Sequence, residues 1–118
     1  LNKNTINFVD TDKINLMKKS AILINTSRGP IVNEPDLINA IKSKRIRSAG
    51  LDVFSNEPLN LDNPLISLPN TVLMPHLSSA TLDTRSKMSE LAANNLLLVL
   101  QGKPPITIVN PEVANSTS

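Results

Sequence analysis

The 118-residue chain contains no cysteine, no tryptophan and no tyrosine. Without cysteine it forms no disulfide and no thiolate metal site. Its one histidine, His76, cannot build a histidine-based metal centre, so no metal site is expected. Two phenylalanines are the only aromatics, which leaves the core to Leu, Ile, Val, Ala and Met. The three glycines, Gly29, Gly50 and Gly102, lie too far apart for a glycine-rich phosphate loop. No apolar run approaches membrane-spanning length, and no secretory signal is visible. A soluble, cytoplasmic protein with no membrane partner is expected.

What remains is the composition of a globular domain. Hydrophobic residues make up 40% and charged residues 19%, enough to pack a core and too few charges for bulk disorder. The length suits one domain. Twelve Lys and Arg against ten Asp and Glu leave a net charge of +2. The densest basic cluster, residues 42–47, falls at a helix end, where cations complement the macrodipole. It has no interleaved aromatics, so no nucleic-acid partner is expected. The chain opens at Leu1 as if inside a loop, which suggests part of a longer polypeptide.

Apolar periodicity divides the chain into alternating helices and strands. Thr11 or Asp12 can cap a helix running to about Lys19, with Ile14, Leu16 and Met17 on its apolar face. Residues 21–25 read as a short buried strand, and Gly29-Pro30 breaks it. Asn33 caps a second helix to about Lys44, with Pro35 in its first turn and Leu37, Ile38, Ala40 and Ile41 facing the core. Ile46 to Phe54 reads as a strand whose Gly50 admits a close neighbouring backbone. Residues 55–70 form a proline-containing loop with a turn at 64–68, and 71–74 a third strand. A long helix from Ala80 to about Gln101 ends at Gly102, before Pro104-Pro105. Ile106 to Val109 is expected to add to a sheet edge, and Val113 to Ser118 to be a mobile tail. Strands alternating with helices imply a parallel sheet with right-handed crossovers.

Three polar motifs follow the three strands: Asn25-Thr26-Ser27-Arg28-Gly29, Asp52 running on to Glu57-Pro58, and Pro75-His76-Leu77-Ser78-Ser79. Ligands of open α/β sheets sit outside the carboxyl ends of the strands, so an arginine, carboxylates and the histidine should meet at one edge. Each residue also has an ordinary reading. His76 alone is usually structural, Glu57 a solvated loop glutamate, and Arg28 half of a surface ion pair. Asp52 alone is a satisfied strand-end carboxylate, and Ser78, Ser79 and Thr81 are helix caps. Together they have a specific use. A carboxylate beside an imidazole orients it and favours its protonated form, and a planar guanidinium suits a carboxylate ligand.

These segments resemble the carboxyl-terminal part of the D-isomer-specific 2-hydroxyacid dehydrogenases. The resemblance spans about Leu1 to Gly102 and rests on Ile24 to Gly29, Ala49-Gly50-Leu51-Asp52-Val53, Glu57-Pro58, Pro64-Leu65, Leu68-Pro69-Asn70, Pro75-His76 and Ser79-Ala80-Thr81. Ala92 to Leu96 and Gly102-Lys103-Pro104 look closest to its glyoxylate/hydroxypyruvate reductases. It implies α/β architecture: half of a Rossmann-type parallel sheet of about three strands with flanking helices. Residues 1–102 would be the second half of an NAD(P)-binding domain, and 103–118 a tail returning toward a substrate domain. It implies hydride transfer between NAD or NADP and a small 2-keto or 2-hydroxy acid, in a protein that is a homodimer at full length.

By the same resemblance the catalytic residues are Arg28, Glu57 and His76: substrate clamp, carboxylate partner and general acid/base. Cofactor contacts are Thr26, Ser27, Arg28, Asp52, His76, Ser78 and Ser79. Substrate contacts are Arg28, His76 and Ser79. Ser78 departs from the family's usual glycine, which allows close approach of the nicotinamide ring. Two alternatives stand beside the enzyme: an NAD(H)-binding corepressor-like module, and an inactive truncated fragment.

Overall fold

Parallel pairing of three short strands organises the first part of the chain. The computed structural model describes residues 1–115. The elements are α1 (Thr11–Leu16), β1 (Ile22–Asn25), α2 (Glu34–Lys42), β2 (Ser48–Leu51), α3 (Pro64–Ser67), β3 (Thr71–Leu73) and α4 (Leu82–Leu100). The sheet order is β1-β2-β3, all parallel, with Asn25 opposite Leu51 and Leu51 opposite Leu73. The α/β reading with three parallel strands is borne out. Chain contacts divide the molecule into two compact units, Leu1–Ser78 and a second beginning at Ser79.

The first unit holds the core. Leu23, Ala49 and Leu51 point to one face of the sheet and are buried with Leu37, Ile38, Ala40 and Ile41 of α2, Ile14 of α1 and Leu65 of α3. Each of the leucines and isoleucines stabilises the fold by about 1.5–3 kcal/mol. The α2 face is the expected one, because Asn33 caps the helix by accepting from the Asp36 amide. On the opposite face Ile22, Ile24 and Val72 are exposed.

Local boundaries differ from the expectations in instructive ways. Asp10, rather than Thr11 or Asp12, caps α1 by accepting from Lys13, and the helix stops at Leu16, leaving Leu16 exposed. α2 ends at Lys42 because Lys44 adopts a left-handed φ of 57°, so that its amide and that of Arg45 bond back to Ile41 and Ala40. The expected 46–54 strand pairs only over Ser48–Leu51, although Met74 still donates to the Leu51 carbonyl. Gly50 is not a close approach. A Cβ there would meet Ile24 Cγ1 at an ordinary 3.8 Å.

In the second unit, Thr81 caps α4 by accepting from the Thr84 amide. The helix closes at Gly102 (φ 69°), whose amide bonds the Val99 carbonyl while Lys103 bonds that of Leu98. Ile106 to Val109 adds to no edge among the described residues. The amides of Ile106 and Thr107 donate instead to the Asn95 side chain. Pro111–Asn115 forms a 3₁₀ turn, so the expected tail is ordered that far, and residues 116–118 lie outside the described ones. Among the described residues no helix is long and apolar enough to cross a membrane.

Candidate active site

The aligned register brings the ends of all three strands to one edge. Beyond β1, Asn25 is 7% exposed and folds the next residues back on itself. Its Nδ2 donates to the Arg28 carbonyl at 3.0 Å, and its Oδ1 accepts from the Ser27 amide at 3.1 Å. Thr26, Ser27 and Arg28 are therefore presented on a fixed turn, all exposed. Gly29 completes it. A Cβ at this position would lie 1.9 Å from the Phe54 carbonyl carbon and oxygen, so only glycine lets the Arg28 turn press against the backbone beyond β2.

That backbone carries Glu57. The Phe54 amide donates to Glu57 Oε1 at 3.0 Å, and Glu57 Oε2 lies 2.8 Å from His76 Nδ1. Both carboxylate oxygens are thus engaged. The bond from His76 holds the Glu57 carboxyl below its ordinary value, helped by the Phe54 amide and by the nearby charges of His76 and Arg28. With Nδ1 committed to Glu57, Nε2 is the ring nitrogen left for proton exchange with a ligand.

Asp52 follows β2 and is 5% exposed. Its Oδ1 accepts from the Leu77 amide and its Oδ2 from the Ser78 amide, each at 2.7 Å. Burial pushes its carboxyl up, but those two amides, the Ser78 hydroxyl and the His76 charge outweigh burial and hold it below the ordinary value. A cleft of about 500 Å³ opens beside the pair, with apolar walls from Phe54, Leu59, Ile66, Leu73 and Met74 around Glu57 and His76. Ser79 is exposed at the start of the second unit.

The structure thus joins Arg28, Glu57, His76, Asp52 and Ser78 in one neighbourhood, with Thr26 and Ser27 on the Arg28 turn. Two positioning residues were not singled out from sequence, Asn25 and Gly29. A polar residue closing an apolar strand, followed by hydroxyl residues and a glycine, was their only signal. Chemically the site offers an oriented imidazole, a guanidinium and an apolar cleft, which suits a small anion bearing a carbonyl. Thr26 and Ser27 lie exposed at the carboxyl end of a parallel strand, where ligands of such sheets bind. Nothing in the chain supplies a glycine-rich loop for the pyrophosphate of a dinucleotide.

Fold and site define a Rossmann-type parallel sheet with a histidine–glutamate pair at the carboxyl ends of its strands. Residues 1–78 match the family model described as D-isomer specific 2-hydroxyacid dehydrogenase, NAD binding domain, and the chain belongs to that family of NAD(P)-dependent oxidoreductases. It is 47% identical to the glyoxylate reductase of Thermofilum pendens over 96% of its own length and 33% of the relative's. It is 55% identical to glyoxylate/hydroxypyruvate reductase B of Citrobacter koseri, over 83% of the chain and 30% of the relative. Among solved structures, the NADPH-dependent glyoxylate/hydroxypyruvate reductase of Sinorhizobium meliloti, in complex with NADP and malonate, superposes with a TM-score of 0.83 at 38% identity, covering 90% of this chain and 33% of that one. The chain therefore spans about a third of the length of these relatives.

Proposed function

We propose that the chain forms the second half of the NAD(P)-binding domain of a dehydrogenase that reduces glyoxylate, hydroxypyruvate or a similar small 2-keto acid. The observation that carries this is the His76–Glu57 pair beside the Arg28 turn at the carboxyl ends of parallel strands. When bound, NADH or NADPH supplies the hydride. Arg28 clamps the substrate carboxylate and draws charge onto the keto oxygen. Nε2 of protonated His76 gives its proton to the developing alkoxide. Glu57 holds the ring through Nδ1.

Residues 1–102 are assigned to the cofactor domain and 103–118 to a segment returning toward a substrate domain. Ser79 keeps the position at the cofactor and substrate mouth that the resemblance gives it. A homodimer at full length, a cytoplasmic setting and no nucleic-acid partner belong to the same proposal. The test is turnover of glyoxylate and hydroxypyruvate by the full-length protein with NADH and with NADPH. Reduction of either acid supports it. Tight NAD(H) binding with no turnover of any 2-keto acid overturns it in favour of a binding module.

A further inference from the structure

His76 sits at a φ of 56°, a left-handed conformation disfavoured for any residue with a side chain. Such a conformation persists only where the surroundings over-determine it. Here they do so from both sides. Before the histidine, the Met74 amide is tied to the Leu51 carbonyl at 2.8 Å. After it, the Leu77 and Ser78 amides are tied to the two oxygens of Asp52, each at 2.7 Å. Leu51 and Asp52 are consecutive, so the five residues from Met74 to Ser78 form a turn stapled at both ends to the close of β2. Asp52 is itself anchored, since its amide donates to the Asn25 carbonyl at 3.0 Å.

We propose that Asp52 is a positioning residue, whose carboxylate holds the His76 turn in its left-handed form and so aims the ring. The proposal rests on the dehydrogenase reading for its catalytic consequence and on geometry for the clamp. It differs from the cofactor contact that the resemblance implies for Asp52. Each amide takes one oxygen of the buried carboxylate, and these two bonds tie the segment after His76 to the end of β2.

The experiment uses the full-length protein and its Asp52→Asn variant. Asn keeps the shape but offers only one acceptor oxygen to two donors. Its kcat is expected to fall about 100-fold, the scale of a misplaced catalytic group, while the dissociation constant for NADH or NADPH changes less than about threefold. Retained kcat with a cofactor dissociation constant raised about tenfold or more overturns the assignment and makes Asp52 a cofactor contact. The clamp has its own readout, independent of turnover. In the wild type, the amide-proton resonances of Leu77 and Ser78 should move together as Asp52 titrates, and Asp52→Asn should abolish that movement. Amides that ignore the titration sink the clamp whatever the enzyme does. A wild type that binds cofactor but reduces no keto acid sinks the dehydrogenase reading and leaves this arm decisive. If Asp52→Asn does not fold, the wild-type amide titration still decides.

Discussion

His76 Nδ1 meets Glu57 Oε2 at 2.8 Å, while the other oxygen of Glu57 is held by the Phe54 amide at 3.0 Å. The carboxylate is a bracket between the backbone after β2 and the imidazole after β3. Its position follows from parallel strands in register, which end together although the two residues are 19 apart in sequence.

Replacing His76 by Ala in the full-length protein removes the proton donor. Steady-state kinetics should show kcat for keto-acid reduction reduced by about 10²–10⁴-fold. A rate near that of the wild type assigns the proton to another group.

Glu57→Gln preserves the shape of the side chain and removes its charge. The proposed proton donor loses the charged partner that orients it, so kcat for keto-acid reduction should fall. Stability depends on pH by linkage. The Glu57 carboxyl is lowered in the native state, so its contribution is present above the unfolded value, about pH 4.3, and is lost as pH falls through the lower native value. Thermal melts should separate wild type from variant near neutral pH and converge in acid. An unchanged kcat and parallel melts would rule out the pairing.

Arg28→Lys keeps the charge and loses the planar fork. The KM for the keto acid should rise about tenfold or more, as expected for exchanging a bidentate contact for a point charge, with the cofactor constant little changed. An unaltered KM removes Arg28 from the substrate.

The two strand-region glycines should respond oppositely to alanine. At Gly29 the added methyl lies 1.9 Å from the Phe54 carbonyl, so the Arg28 turn and the Glu57 segment must move apart. A lowered melting temperature together with a loss of about 100-fold in kcat is expected. At Gly50 the methyl finds 3.8 Å to Ile24. Gly50→Ala should be neutral or stabilising by up to about 1 kcal/mol, since alanine loses less backbone freedom on folding. Denaturant titration of both variants checks the contrast, and equal losses would contradict it.

Much of the fold was legible because its signals are local. The Asn33 cap, Pro35 and the spacing of Leu37, Ile38, Ala40 and Ile41 specify α2 within a dozen residues. Gly102 before Pro104 marks the end of α4 in the same way. The motif ends Arg28, Glu57 and His76 were legible as a set because apolar strands that alternate with helices must run parallel and finish at one edge. The misread details lie where a competing local bond wins. Asp10 reaches the Lys13 amide before Thr11 or Asp12 can cap, and Asn95 captures the Ile106 and Thr107 amides that an edge strand would have needed.

By itself the sequence determined the α/β alternation, the three strands, the Asn33 cap of α2 and the identity of the chemical groups, because period, capping and turn residues act over a few positions. Only the tertiary structure decided which groups are bound to which. That Gly29 and not Gly50 makes the close backbone approach, that Asn25 shapes the Arg28 turn, and that Asp52 accepts from the two amides beyond His76 all depend on segments brought together across the sheet. Asp52 lies 25 and 26 residues from its two donors. Nothing local to either segment selects that pairing; the parallel register does, by placing the end of β2 beside the turn after β3.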